Sequence, residues 1–376
     1  MHIKSIQFSD DGPRPWEFSR FNFKPINLLV GASGSGKTRF ITAIFNIARL
    51  AGGANKLISP AKWVIEVEVG EKTLTWQFEG KLEGVENVPR IVSERIFEGS
   101  IDSGVSIVDR SEDEFRFNDK VLPKLSQDQS AIDLLRKEET IRPLFDLFAK
   151  VIKRSFSEAS LGQMISYRTM PKRFRESLKP GKALPSIPIE YGVSVSLLYL
   201  KECFKAKYDE LIRSYKSVFP FVENCEIMDA AKLGMQVPLL GETPVFAIKE
   251  RKVNGFIPLH ELSSGMQKVL LLMADIMSLQ AGHTYLIDEY ENSLGVNAID
   301  FLPGFLTENR GDNRFVITTH HPYLINSMPV KNWNIFNRDG SSVTIVDGAT
   351  LVERYGKSKQ QAFVQLINDP RYGLIK

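Results

Sequence analysis

Ile26-Asn27-Leu28-Leu29-Val30-Gly31-Ala32-Ser33-Gly34-Ser35-Gly36-Lys37-Thr38 decides how this chain is read. Residues 31–38 match the pattern G-x-x-x-x-G-K-[ST] without interruption. The preceding run, Ile26 to Val30, is apolar and bounded, which predicts a buried strand. Thr38 to Leu50 follows with helix formers and apolar side chains on most faces, which predicts a buried helix. The order is strand, glycine loop, helix. Gly31, Ala32, Ser33, Gly34, Ser35 and Gly36 then turn backbone N–H groups inward to cradle phosphate oxygens, and the helix points its positive end at them. Lys37 is expected to reach the β/γ-phosphates and Thr38 to ligate Mg²⁺, with ATP as the substrate. The competing reading is a glycine-rich turn with a buried lysine.

Working outward, His283-Thr284-Tyr285-Leu286-Ile287 is a second apolar strand, and it ends in Asp288-Glu289. Ligands in an open α/β sheet bind beyond the carboxyl ends of the strands, so both acids are expected at the nucleotide. Asp288 suits the Mg²⁺ partner and Glu289 the base that activates the attacking water. The alternative is a pair of acids capping the next segment. Leu262-Ser263-Ser264-Gly265-Met266-Gln267 reads as a helix start whose N–H groups can hold a phosphate, or as an ordinary Ser-Ser-Gly cap. Phe315 to Thr319 is a third buried strand, ending at His320, which contacts a γ-phosphate or water, or bonds locally.

The balance of the chain sets bounds. Hydrophobic content of 43% and charged content of 25% fit an ordinary soluble globular protein of 376 residues, long enough for two domains or one with a large insertion. The net charge of +3 is too small to imply nucleic acid globally. Cys203 and Cys225 give neither metal spacing nor a disulfide framework and fit a reducing cytoplasm. No apolar run approaches the ~18 residues a membrane span needs, so no membrane association is expected.

A coarse pass predicts strands at His2–Phe8 and Phe21–Val30, a hairpin of Trp63–Val69 and Lys72–Phe78 around Gly70-Glu71, and further β pattern at Val88–Phe97 and Val105–Phe117. Ser130–Phe156 reads as helical, with Pro143 starting a second helix; residues 157–192 as loop-rich; Leu197–Phe219 as one helix. A strand at Val245–Lys249, helices at Met266–Leu279 and Ile299–Leu306, and a terminal hairpin of Trp333–Asn337 and Ser342–Val346 follow. Strands alternating with helices predict an α/β fold with a parallel sheet. The chain divides into an N-terminal lobe with the phosphate loop and a β subdomain (1–125), a helical insertion with a basic loop (126–250), and a C-terminal lobe (251–376).

The phosphate loop, Leu262–Gly265, Leu286–Glu289 and Thr318–His320 occur in the order found in ABC-class ATPases, and the chain resembles their SMC/RecF/OLD-like branch. The opening strands and the 257-residue gap between Gly31 and Asp288 favour that branch over a transporter subunit. The resemblance covers residues 1–50 and 256–326 well and the middle loosely. It implies a P-loop ABC-type head with an antiparallel β subdomain and a helical lid. It also implies a head-to-tail homodimer, each nucleotide lying between one copy's Gly31–Thr38 and the other's Ser263, Ser264 and Gly265. Glu291–Gly295 matches the loop that crosses the dimer axis. A glutamine then bridges Mg²⁺ and the insertion; Gln129 and Gln127 are the candidates, with a polar helix cap as the alternative.

Lys150, Lys153, Arg154, Arg168, Lys172, Arg173, Arg175, Lys179 and Lys182 crowd one stretch, interleaved with Phe156, Tyr167 and Phe174. They form either a DNA-backbone surface, a solvated loop or a protein-partner surface. The expected function is an ATPase switch acting in DNA repair or bacterial anti-phage defence, with any nuclease or toxin output supplied by a separate effector. The alternative is a nucleotide-dependent scaffold that hydrolyses little ATP and sequesters or recruits such a partner.

Overall fold

Residues 26–30 are buried along their whole length, which requires cover on both faces and on both edges. The computed structural model shows how. It describes every residue except 13, 55–58, 85–87, 100–103, 124–125, 155–164, 167, 179–191, 237–240 and 351–376. The chain forms two compact units. The first holds Met1–Arg154, Gly282–Tyr290 and the described residues from Asp312 on; the second holds the described part of Ser155–Ala281 and Glu291–Gly311. Residues 251–281 therefore group with the insertion.

In chain order the first unit starts with β1 (His2–Asp10), β2 (Trp16–Asn22), β3 (Ile26–Val30) and α1 (Lys37–Ala51). It continues through β4 (Ala61–Val69), β5 (Lys72–Glu83), β6 (Val88–Glu98), β7 (Val105–Arg110), β8 (Phe115–Phe117), β9 (Lys120–Leu122), α2 (Ala131–Leu134), α3 (Arg142–Phe148) and β10 (Val151–Arg154). The second unit follows with α4 (Lys172–Ser177), α5 (Gly192–Cys203), α6 (Lys205–Val218), β11 (Val222–Asp229), β12 (Pro244–Glu250), β13 (Ile257–Pro258) and α7 (Ser264–Ser278). The chain returns for β14 (Thr284–Ile287), leaves again for α8 (Val296–Asn309), and continues with β15 (Arg314–Thr318), α9 (Pro322–Ser327), β16 (Trp333–Asp339) and β17 (Ser342–Asp347).

The first unit is built on one described sheet ordered β10-β14-β15-β3-β16-β17-β2-β1-β4-β5-β6-β7-β8-β9. Its first five strands are parallel. β3 lies between β15 and β16, which accounts for its burial. The antiparallel part is continuous with this core, joined where β17 pairs β2 at Val343↔Phe18. Phe40 of α1 packs among Phe18, Phe21 and Phe336 at ring separations of 5.0–5.4 Å, fixing the helix behind the phosphate loop. The second unit packs α5, α6 and α7 with the small β11-β12-β13 sheet. Tyr215 meets Phe246 edge-on at its core.

Several expectations change. Phe21–Val30 is not one strand: β2 ends at Asn22 and β3 begins at Ile26, because Pro25 lies between them and the Asn27 carboxamide accepts from the Lys24 N–H. Val105–Phe117 divides into β7 and β8, and β9 follows a turn through the left-handed residues Asn118 and Asp119. Val151–Arg154 is a strand rather than the end of a helix, paired with β14. Leu197–Phe219 is two helices broken at Phe204. Most of 157–192 lies outside the described residues. The Gly70-Glu71 hairpin (Val69↔Lys72), Pro143 in the first turn of α3 and the β16–β17 hairpin are as expected.

Candidate nucleotide-binding site

The loop after β3 is shaped by its glycines. Gly34 and Gly36 are left-handed, with φ of 76° and 96°. A Cβ on Gly31 would sit 2.7 Å from the Phe336 carbonyl, so the loop can only leave the sheet here without a side chain. A Cβ on Gly36 would sit 2.7 Å from the Trp16 ring. Ala32 is half-buried, Ser33 exposed and Ser35 buried. The Lys37 ammonium is folded inside the loop, donating to Gly31 O (2.8 Å), Ala32 O (2.9 Å) and Ser35 Oγ (3.2 Å). The positively charged end of α1 faces the same concavity.

Asp288, 250 residues further along the chain, comes to this loop because β14 and β3 lie in one parallel sheet. The Thr38 hydroxyl donates to Asp288 Oδ1 at 3.1 Å. Glu289 is exposed and its backbone is left-handed, with φ of 50°. That conformation is unusual for a residue with a Cβ and is characteristic of functional turns. His320 is exposed just past the end of β15. Four of the parallel strands therefore deliver Gly31, His320, Asp288-Glu289 and Arg154 at one sheet edge, where such sheets bind ligands.

Sequence reasoning missed several neighbours of the loop. The Arg338 guanidinium donates to Gly34 O at 3.1 Å and stacks 4.2 Å from the Trp16 ring centre, with Arg39 over the same ring at 5.1 Å. Lys153 Nζ donates to Thr42 Oγ1 at 2.7 Å, and the Thr42 hydroxyl donates to Thr38 O at 2.8 Å. No motif flags Trp16 or Arg338; only the β2–β17–β16 pairing brings them here. Lys153 and Arg154 belong to β10, and Arg154 is buried, so they leave the basic surface expected of 150–182. Arg168, Lys172 and Arg175 are exposed in the second unit. Lys179, Lys182, Phe156 and Tyr167, with the Arg173 side chain, lie outside the described residues.

Gln129 and Gln127 are held by their backbones. Arg110 donates to Gln129 O at 2.7 Å, and Gln127 O accepts from Ile91 N at 2.8 Å. Two residues beyond Gln129 begins α2. Its Asp133 lies against Gly53, past the C-terminal end of α1 and so the opposite end from the phosphate loop. Arg110 also pairs with Glu94, whose carboxylate accepts from Trp76, Ser130 and Ala131 as well. Burial pushes the Glu94 pKa up and the Arg110 pKa down.

In the second unit, Ser263 caps α7, its hydroxyl accepting from Met266 N at 3.3 Å. Ser264 opens the helix and is exposed. A Cβ on Gly265 would meet Ser293 O at 2.5 Å, so glycine lets the 291–295 loop lie against the helix start. Lys268 Nζ holds Asn292 O at 2.7 Å. Burial pushes the Cys225 thiol up to about 12. No described helix is long and apolar enough to cross a membrane.

Solved structures share the fold. An "SmcHead bound to the C-winged helix domain of ScpA" superposes with a TM-score of 0.53 at 11% identity, over 92% of this chain and 97% of that one. It shows the fold, an SMC-head-like P-loop ATPase fold. An SMC head from Thermotoga maritima (TM-score 0.44, 13% identity, 92% and 99% coverage) also matches. So does one from Pyrococcus furiosus with an extended coiled coil (0.43, 12%, 94% and 99%). No curated protein matches. A family model described as "AAA domain, putative AbiEii toxin, Type IV TA system" matches residues 26–326, from the strand before the phosphate loop to the helix after His320, and the chain belongs to that AAA_21 family.

Proposed function

We propose that this protein is an ATP-hydrolysing switch whose two copies close head-to-tail around ATP. The observation that carries the reading is the 3.1 Å bond between Thr38 and Asp288, which joins the phosphate loop to the acidic strand end. The two oxygen donors suit Mg²⁺, which takes hard ligands and shares its coordination with phosphates and water. Mg²⁺ bound there supplies charge neutralisation for the phosphates.

The chain's own groups do the rest. Lys37 exchanges loop carbonyls for phosphate oxygens. Glu289 accepts the proton of the attacking water, and His320 orients the γ-phosphate side of the site. Ser263–Gly265 of a second copy brings helix N–H groups to the same phosphates. The order of motifs supports this arrangement, as does the fold shared with SMC heads. One such head is bound to the C-winged helix domain of ScpA, and the family description names a toxin–antitoxin system. Both support a protein partner as the output, in defence or DNA maintenance. The test is Glu289→Gln. It is expected to keep ATP binding, abolish phosphate release and trap an ATP-dependent dimer in light scattering. Wild-type turnover in that variant removes Glu289 as the base. A wild-type protein that binds ATP, stays intact and releases no phosphate favours the scaffold reading instead.

A further inference from the structure

Thr318 is the last residue of β15 and is buried, at 2% exposure. The strands on either side of it lead into the acidic strand end and the phosphate loop. β14 pairs β15 at Ile287↔Ile317, so Asp288 emerges beside Thr318. On the other edge Thr318 pairs Leu29, just before the phosphate loop. Three hydrogen bonds run through this residue. Its hydroxyl donates to Asp288 Oδ1 at 2.7 Å. The same oxygen accepts from the Glu289 N–H at 2.7 Å. Its carbonyl accepts from the Tyr290 N–H at 3.1 Å.

A hydroxyl has one proton and two lone pairs, so this pattern has one solution. The proton goes to the carboxylate and a lone pair takes the amide. Asp288 Oδ1 then receives two hydroxyl donors, Thr38 and Thr318, which fixes the plane of its carboxylate. The bond to the Glu289 N–H anchors a backbone at φ 50° that a Glu otherwise leaves readily. Asp288 is set in orientation and Glu289 in direction by a single side chain.

We propose that Thr318 is a positioning residue for the hydrolytic centre, holding the Asp288 carboxylate and the turn of Glu289 in the geometry that hydrolysis uses. The proposal rests on the ATPase reading above. Valine has the same branched shape without the hydroxyl, and serine keeps the hydroxyl without the methyl, so the pair separates bonding from packing.

The experiment measures steady-state phosphate release, equilibrium binding of a fluorescent ATP analogue, and amide hydrogen exchange of residues 286–291 without nucleotide. The proteins are wild type, Thr318→Val, Thr318→Ser and Glu289→Gln. Thr318→Val is expected to lose about 10- to 100-fold in turnover, the scale of a misplaced reacting group, with nucleotide affinity unchanged and faster exchange at 288–290. Thr318→Ser is expected to restore both rate and protection. Wild-type turnover in Thr318→Val, or unchanged exchange at 288–290, overturns the positioning role. Loss of nucleotide binding together with rate, unrescued by serine, shows a packing role only and overturns it too. Wild-type turnover in Glu289→Gln instead removes Glu289 as the base, and no turnover in the wild type removes the ATPase reading; the exchange measurement still decides whether Thr318 holds the turn.

Discussion

Replacing Arg110 by Met should destabilise the first unit steeply, and more so at high pH. Glu94 is fully buried and Arg110 is 4% exposed. The guanidinium serves the Glu94 carboxylate at 3.4 Å, Gln129 O at 2.7 Å and Ser126 O at 2.6 Å. Methionine keeps much of the volume, including contact with Phe115, and removes all three. Removing one partner of a buried pair costs about 3–5 kcal/mol, which lowers the melting temperature by about 10 °C in a unit of this size. The sign with pH follows from the carboxyl group. Glu94 is already raised by burial, Arg110 being the largest influence holding it down, so the folded value climbs further in the variant. Unfolded, the group titrates at about 4.3. Between those two values the folded state keeps a proton that the unfolded state releases, so stability falls as pH rises through that window. Below it Glu94 is neutral in both states and the charge penalty is absent. The variant should therefore melt closest to wild type near pH 4.5 and furthest from it at pH 8. Glu94→Gln added to Arg110→Met should flatten that dependence. Circular-dichroism melts at the two pH values are sufficient. A gap that is the same at both, or a double variant that keeps the slope, would refute the reasoning that an uncompensated carboxylate is the cause.

The Tyr290 hydroxyl is buried with no hydrogen-bond partner among the described residues, and burial raises its pKa. Tyr290→Phe should therefore raise stability by about 1 kcal/mol, read as a higher denaturant midpoint at unchanged slope; a lower midpoint refutes this. Gly36→Ala places a methyl 2.7 Å from the Trp16 ring at φ 96°. It should abolish the ATP-dependent rise in melting temperature, which in the wild type corresponds to about 2.7 kcal/mol at a hundredfold excess over Kd. Lys37→Met removes an ammonium engaged with three loop oxygens and should weaken ATP binding at least about tenfold by titration calorimetry, each lost charge-assisted bond being worth about 1.5–3 kcal/mol.

The parts of this fold that are legible in the sequence are those whose burial leaves no choice of residue. β3, β14 and most of β15 are covered on both faces and read as mainly apolar runs, with Asn27 the one strongly polar residue within β3. The Gly31–Thr38 loop is legible because its backbone admits no side chain at two positions. β10 is not legible: Val-Ile-Lys-Arg is short, half charged and, among the described residues, paired only with β14. Its Lys153 is settled by Thr42, 111 residues away. The break at Phe204 carries neither Gly nor Pro, and no local rule places it. Thr318 shows where the limit lies. In an apolar strand a threonine reads as one more β-branched residue. Its meaning depends on the register that sets Ile317 beside Ile287, since a slip of one residue would turn its hydroxyl to the other face. Once the two strands are paired in parallel, however, the residue after each must be a neighbour of the other, and the acid that follows Ile287 needs a donor there. The motif names the acids; the strand beside it names what holds them.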